Sequence, residues 1–214
     1  YNKYLDFTKE SIKIDITKKL PIKLMLNLGS PEYAFTSSLL PNNGVGLARM
    51  EFIITNYIKI HPNALHDYPN VDTNTFNKIK NIIGNKDSGK WYFIKRLARG
   101  ISQIASAFYP NEVVLRLSDF KSNEYRNLIG GNLYEPEEEN PMIGWRGASR
   151  YYSKEYEKGF ELECLAIKYA RENMNMKNII IMIPFCRTPE ECEKVINKME
   201  SYGLKRGINN LQIY

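Results

Sequence analysis

The segment that most constrains the fold is Asn178–Phe185 (NIIIMIPF), which is apolar at almost every position. A strand with one face in water alternates polar and apolar residues, so this run predicts a strand whose two faces are both covered, as in a parallel sheet. Thr188-Pro189-Glu190-Glu191 then has the pattern of a helix start. Thr188 can cap the helix, Pro189 suits its first position and Glu191 can close a capping box. We therefore expect a buried strand followed closely by a helix.

The same alternation of strand and helix runs along the rest of the chain. Strand-like stretches occupy 22–28, part of 44–54 and 113–117, and a last strand opens at Leu211. Apolar residues at helical spacing predict three helices with buried stripes. The stripes consist of Trp91, Ile94, Ala98, Ile101, Ala105 and Phe108, then of Phe160, Cys164 and Ile167, and then of Cys192, Val195, Ile196, Met199 and Tyr202.

Strands that alternate with helices predict an α/β fold with a parallel sheet. A closed (β/α)₈ TIM barrel needs eight strands and roughly 250 residues, whereas this chain has 214 residues and about five strands by pattern. We predict a partial (β/α)₈ barrel, with about five of the eight units. An open doubly wound sheet is the alternative, although Gly29-Ser30-Pro31 lacks the glycine pattern of its phosphate loop.

Composition and charge narrow the function classes. The net charge of +6 comes from 30 basic and 24 acidic residues that are interspersed. This favours small anionic ligands over nucleic acid, and we expect no nucleic-acid partner. No apolar run approaches the roughly 20 residues of a membrane span, so we expect no membrane partner. The three cysteines match no metal or redox spacing, which predicts buried thiols and a cytoplasmic location.

Two arginines lie where this fold places its active sites. Arg49 lies toward the end of the second predicted strand and Arg116 lies in the third. Parallel strands end at one edge of the sheet, where barrel enzymes bind their substrates. Paired guanidinium groups there suit a carboxylate or a phosphate. The alternative is that each arginine only neutralises a neighbouring carboxylate, Glu51 or Asp119.

The densest polar segment is 119–152, and a loop of this length is usually functional. Within it, Arg146 lies in a Gly144–Gly147 turn and is either a further site residue or a positioning or surface charge. Glu135–Glu139 is expected to be a solvated acidic turn. His61 and His66 are expected to be structural. No metal-binding motif is complete in these residues.

Taken together, these segments resemble one enzyme family. The stretch 114–125 (VLRLSDFKSNEY), the segment GWRG at 144–147 and the earlier GVGLARMEF at 44–52 are similar to phosphoenolpyruvate-utilising enzymes, and within them to the synthases. The resemblance covers 22–214, which is identified as the N-terminal part of the family's barrel domain. Residues 1–21 are interpreted as a lead-in segment from an upstream domain.

This resemblance implies an activity and a site. The family's synthases convert pyruvate, ATP and water to phosphoenolpyruvate, AMP and phosphate, through a phosphohistidine on another domain and an ATP-binding domain, with Mg²⁺ at the barrel. Arg49, Arg116 and Arg146 match substrate-binding arginines. The expected metal ligands and the proton donor lie after Tyr214, so we assign no catalytic or metal-binding residue within 1–214 and expect the isolated chain to be inactive. A homo-oligomer is also expected.

Two alternatives stay open. One is a non-catalytic module that binds phosphoenolpyruvate or forms a dimer. The other is a relative of pyruvate phosphate dikinase or of enzyme I of the sugar phosphotransferase system.

Overall fold

A parallel four-stranded sheet forms the centre of the molecule. The computed structural model describes residues 20–84, 88–139 and 144–214. The strands are β1 (Leu26–Leu28), β2 (Gly44–Arg49), β3 (Glu112–Arg116) and β4 (Ile179–Met182), paired in the order β1-β2-β3-β4. Every pair is parallel, and chain neighbours are spatial neighbours. The predicted α/β fold is confirmed, and the open sheet is consistent with a partial barrel.

Helices connect the strands. In the described residues they are α1 (Ala34–Ser38), α2 (Glu51–Ile53), which continues as a π-helical turn (Ile54–Ile58), α3 (Pro62–Asp67), α4 (Thr73–Ile83), α5 (Gly89–Ala107), α6 (Ser122–Arg126), α7 (Ala148–Tyr151), α8 (Glu157–Glu172) and α9 (Pro189–Ser201). Short 3₁₀ turns lie at Pro31–Tyr33, Gly131–Leu133 and Ile208–Asn210.

Local sequence explains where the long helices begin. The Asp72 carboxylate accepts hydrogen bonds from the amides of Asn74 and Thr75 at the start of α4, and the Ser88 hydroxyl accepts one from the Trp91 amide in α5. The predicted cap of α9 is confirmed, because Thr188 Oγ1 accepts from the Glu191 amide. The Glu191 carboxylate accepts from the Arg187 amide, one residue before the position that a capping box requires.

The core lies between the sheet and its helices. Val45, Ala48, Val113, Leu115 and Ile181 are buried along the strands, and α5 packs against α8 with apolar residues from both helices. The expected stripe of α8 is fully buried. In α9, Val195 and Met199 are buried, while Cys192, Ile196 and Tyr202 are half-buried.

Several expectations are wrong in detail. Trp91 is exposed at the first turn of α5, where its ring meets the edge of Tyr169. Of the cysteines, only Cys164 is buried, and Cys186 is exposed in the loop after β4. The first strand is shorter than 22–28, because Leu24 donates its amide to the Asn43 side chain rather than to the sheet.

The last predicted strand begins as a single parallel bridge between Ile181 and Ile213. Backbone bonds accompany this bridge, since the Ile181 amide donates to Gln212 and the Tyr214 amide donates to Ile181. The chain thus runs parallel to β4 at the position that the sequence pattern indicates, although only this single bridge is formed.

Two further expectations are only partly covered by the structure. The lead-in segment assigned to 1–21 lies almost entirely outside the described residues, and its boundary stays a prediction. Among the helices of the described residues, none combines the length and the apolar character that crossing a membrane requires.

Candidate functional site

Arg49 and Arg116 are neighbours at the carboxyl edge of the sheet. Each is the last residue of its strand, β2 or β3, and the two are Cα partners in the parallel ladder. Arg49 is exposed, and its side chain makes no hydrogen bond or ion pair with any described residue. The sequence therefore brings two guanidinium groups to one edge and leaves one of them free for a ligand.

Arg116 is held by two carboxylates. Its Nη2 lies 2.8 Å from Glu51 Oε1 and its Nη1 lies 3.6 Å from Asp119 Oδ2. Glu51 Oε1 also accepts the Asp119 amide at 2.8 Å. Arg116 therefore has the two carboxylate partners that the pairing alternative names, whereas the Arg49 side chain has neither of them among the described residues. In the described part of the chain, Glu51 Oε2 and Arg116 Nε are buried without a hydrogen-bond partner.

Arg146 joins the same cluster through Asp119. Its Nε lies 2.9 Å from Asp119 Oδ1 and its Nη2 lies 3.0 Å from Oδ2, which is a bidentate ion pair. The hydrogen bond to this carboxylate raises the pKa of the Arg146 guanidinium. The opposite face of Arg146 covers the Phe185 ring, with 4.4 Å between the guanidinium carbon and the ring centroid. Arg146 is thus fixed between an anion and an aromatic face.

Tight backbone packing holds that turn in place. Gly147 has a φ of +62°, and a Cβ there would lie 2.5 Å from the Pro184 carbonyl oxygen. The Ala148 amide donates to the same oxygen at 3.0 Å. Phe185 itself has a φ of +51°, in the left-handed region that non-glycine residues rarely adopt. The loop after β4 and the Arg146 turn therefore fix each other.

One guanidinium group of the cluster is unpaired. Arg116 and Arg146 form ion pairs with Glu51 and Asp119, whereas the Arg49 side chain forms none with any described residue. Such an arrangement attracts anions, and the planar groups suit bidentate binding of carboxylate or phosphate.

The described residues do not themselves form a magnesium site. No group of three or more His, Cys, Asp or Glu side chains within them could hold a metal ion. Both carboxylates in the cluster are engaged by arginine or backbone donors. The ligands that the family resemblance places after Tyr214 stay a prediction.

The prediction of a solvated acidic turn at Glu135–Glu139 is wrong for its first residue. Glu135 is buried and forms a bidentate pair with Arg150, with Oε1–Nη1 at 2.6 Å and Oε2–Nη2 at 2.9 Å. Glu137 and Glu139 are exposed, as expected for a solvated turn. Burial alone would raise the pKa of Glu135, but the hydrogen bonds from His61 and Arg150 hold it below its ordinary value.

His61 completes this buried network. Its Nδ1 accepts the Asn63 amide at the start of α3, so Nε2 carries the proton and donates to Glu135 Oε1 at 2.9 Å. Burial lowers the pKa of His61, which keeps the ring neutral. These contacts give His61 the structural role that the sequence predicted.

Sequence reasoning missed Glu163, which is fully buried in α8 below the arginine cluster. Its Oε1 accepts from Ser118 Oγ at 2.5 Å and from the Tyr156 hydroxyl at 2.7 Å, while Oε2 accepts from the Ser118 amide at 3.3 Å. Burial raises the pKa of Glu163 to about 7. A signal was present, because Glu163 adjoins the predicted apolar stripe at Phe160, Cys164 and Ile167. A charged residue beside such a stripe predicts a buried polar partner.

Comparisons with known proteins identify the family of the chain. The family model of the PEP-utilising enzyme, PEP-binding domain, matches residues 7–211. Phosphoenolpyruvate synthase of Aquifex aeolicus is 46% identical, over 100% of this chain and 30% of that protein. The Escherichia coli phosphoenolpyruvate synthase is also 46% identical, over 100% of this chain and 27% of that protein.

A further relative is the probable phosphoenolpyruvate synthase of Staphylothermus marinus. It is 48% identical over 86% of this chain and 20% of that protein. The chain thus spans less than a third of the length of these relatives. The matched region includes both arginine strands and the Arg146 turn, and the chain belongs to the family of PEP-utilising enzymes, as a part of their PEP-binding domain.

Proposed function

We propose that this chain binds pyruvate and phosphoenolpyruvate through Arg49, Arg116 and Arg146. The observation that carries the proposal is the ladder partnership of Arg49 with Arg116 at the carboxyl edge of the sheet. Arg49 supplies a free guanidinium, and Arg116 retains an unpartnered buried Nε in the described residues. A small dianion between them would satisfy both groups. The similarity to proteins named phosphoenolpyruvate synthase supports this choice of ligand.

The reaction that we propose for the protein containing this chain is the phosphorylation of pyruvate to phosphoenolpyruvate with ATP and water. The phosphoryl group would travel on a phosphohistidine of another domain, after transfer from an ATP-binding domain. Positive charge at the strand ends would stabilise both the transferring phosphoryl group and the developing enolate. We assign Mg²⁺ as the metal, with its ligands after Tyr214, and a homo-oligomer as the assembly.

We also propose a cytoplasmic location. Its support is the state of the three cysteines, which are all free thiols. Free thiols are typical of a reducing compartment. The exposed Cys186 is the informative member of the set, because an accessible thiol is the first to be oxidised outside such a compartment.

The test is a calorimetric titration of phosphoenolpyruvate, with and without Mg²⁺, into the full-length protein that contains this chain. Arg49→Ala and Arg116→Ala should each weaken binding at least about 100-fold, because each removes a charged hydrogen-bond donor worth ~1.5–3 kcal/mol together with its electrostatic attraction. Arg99→Ala is the matched control, since Arg99 is an exposed arginine on α5. Unchanged affinity in both site variants would refute the proposal.

A further inference from the structure

The buried carboxylate of Glu163 lies directly beneath the turn that organises the arginine cluster. Its three hydrogen-bond donors come from two residues: the Ser118 amide, the Ser118 hydroxyl and the Tyr156 hydroxyl. Glu163 and Ser118 are both fully buried. Burying a carboxylate costs desolvation free energy, and the three hydrogen bonds to Glu163 offset part of that cost.

Ser118 is saturated with hydrogen bonds. Its carbonyl oxygen accepts from the Tyr151 hydroxyl at 2.5 Å, and its Oγ lies 2.6 Å from the Tyr125 hydroxyl. With the amide and Oγ both bound to Glu163, every polar group of this residue is engaged. Ser118 therefore has one fixed conformation as long as Glu163 accepts its bonds.

The residue after Ser118 is Asp119, which contacts both Arg116 and Arg146. A change in the Ser118 backbone would displace the Asp119 carboxylate and, with it, the two guanidinium groups. Glu163 is thus connected to Arg116 and Arg146 through two consecutive residues, Ser118 and Asp119, although it touches neither arginine.

We propose that Glu163 is a positioning residue of the arginine site, whose carboxylate holds Ser118 and so places Asp119, Arg116 and Arg146 for an anionic ligand. The inference rests on the proposed function of that site. It assigns to α8 a part in ligand binding that the cluster alone does not reveal.

The geometry makes this role dependent on the ionisation of Glu163. The two hydroxyls can also accept a hydrogen bond, but the Ser118 amide can only donate. A proton on Oε2 would therefore compete with this amide, the longest of the three bonds at 3.3 Å. Burial and the nearby Glu51 charge raise the pKa of Glu163 to about 7. Loss of the amide bond would free the Ser118–Asp119 turn.

The groups that face Glu163 do not obscure this titration. They are the Tyr125, Tyr151 and Tyr156 hydroxyls, the Glu51 carboxylate and, on α8 itself, Cys164. Burial raises the pKa of the three tyrosines and of Cys164 well above their ordinary values. These four groups stay protonated between pH 6 and 8.

The first test compares phosphoenolpyruvate affinity in the full-length protein and its Glu163→Gln variant at pH 8 and pH 6. A glutamine keeps the shape but has a single acceptor oxygen, so it cannot accept from the Ser118 amide at one position and from both hydroxyls at the other. At pH 8 the variant should bind about tenfold more weakly, a loss of ~1.4 kcal/mol. At pH 6 the two dissociation constants should converge, because the wild-type carboxyl is then neutral. The ligand's own titration cancels in their ratio.

Glu161→Gln is the matched control, because Glu161 lies on the same helix, is partly exposed and contacts His66 instead. It should bind as wild type does at both pH values. Equal affinity of the wild type and Glu163→Gln at pH 8 would overturn the inference, and so would a tenfold difference that persists at pH 6. Absence of binding by the wild type would instead overturn the proposed function.

A second measurement needs neither ligand nor variant. Hydrogen exchange of the Ser118 amide is followed in the wild-type protein from pH 8 to pH 6, and the rate is corrected for its intrinsic pH dependence. The protection factor should fall as Glu163 gains its proton. A constant protection factor would show that the amide bond does not depend on the Glu163 charge, which contradicts the inference.

Discussion

Both carboxylate oxygens of Asp119 accept hydrogen bonds from Arg146, and the backbone amide of Asp119 donates to Glu51. The two N–O distances of the ion pair are 2.9 and 3.0 Å, and the amide bond is 2.8 Å. The Asp119 side chain is 2% exposed and the Arg146 side chain 14%. A pair so protected from water is a stronger interaction than an exposed surface ion pair.

Asp119→Asn should therefore weaken phosphoenolpyruvate binding about tenfold. The asparagine can accept one bond from Arg146, but its amide group repels the second guanidinium nitrogen. The measurement is a double-mutant cycle with Arg146→Lys, read as binding free energy. We expect a coupling of about 1–3 kcal/mol between the two positions. Strictly additive effects would show that Asp119 does not act through Arg146.

Gly147 offers a sharper test of how the Arg146 turn is held. Gly147→Ala should lower ligand affinity, because its Cβ would meet the Pro184 carbonyl oxygen at 2.5 Å and displace the loop that carries Phe185. Gly84→Ala is the control, since Gly84 has a similar φ of +71° and no described atom within 4 Å of the added Cβ. Both variants should lose about 1–3 kcal/mol of stability from the positive φ, and Gly147→Ala should lose the larger amount because of its clash. Only Gly147→Ala should change the affinity, and equal affinities would show that the contact with the Pro184 loop does not matter.

The buried Glu135–Arg150 pair predicts a large stability effect away from the ligand. Glu135→Gln removes the charge that compensates Arg150, whose side chain is fully buried, so the local free energy of opening should fall by about 3–5 kcal/mol. Hydrogen exchange across Ala148–Tyr151, measured by mass spectrometry, reads this quantity.

Glu137→Gln gives the matched comparison for that experiment. Glu137 is 86% exposed and lies 3.9 Å from Arg126, so its loss should change the opening free energy by less than about 0.5 kcal/mol. If Glu135→Gln had an effect this small, the contacts of Glu135 with Arg150 and His61 would contribute little to the stability of Ala148–Tyr151.

Residue pattern predicted much of the fold because strands and helices here have strong local signals. The apolar run at β4 and the Thr188 cap are local features, and both are found where the sequence indicates them. Trp91 shows the limit of periodicity, since helical spacing assigns a face but does not say how far the core extends along the helix. Trp91 lies beyond that extent and is exposed.

The arginines of the site could be predicted from the sequence. The buried residues that hold the surrounding loops in place could not. Arg49 and Arg116 end successive parallel strands, and topology alone places such residues together. Glu135 meets Arg150 and His61 only through tertiary packing of three separate segments. A run of acidic residues carries no information on which member turns inward. Glu163 differs, because its place beside the apolar stripe of α8 was a signal, although the partners Ser118 and Tyr156 meet it only in the folded chain.

The parallel pairing of β2 with β3 has a consequence for how such a site can change over time. Arg49 and Arg116 are aligned by the ladder itself and not by the long connection between the strands. Insertions or replacements in the outer helices and surface loops of that connection can remodel those parts while the Cα atoms of Arg49 and Arg116 stay aligned. The alignment of the two arginines at the edge of the sheet therefore tolerates sequence changes in the outer helices and surface loops. Those helices and loops can change and form new contacts.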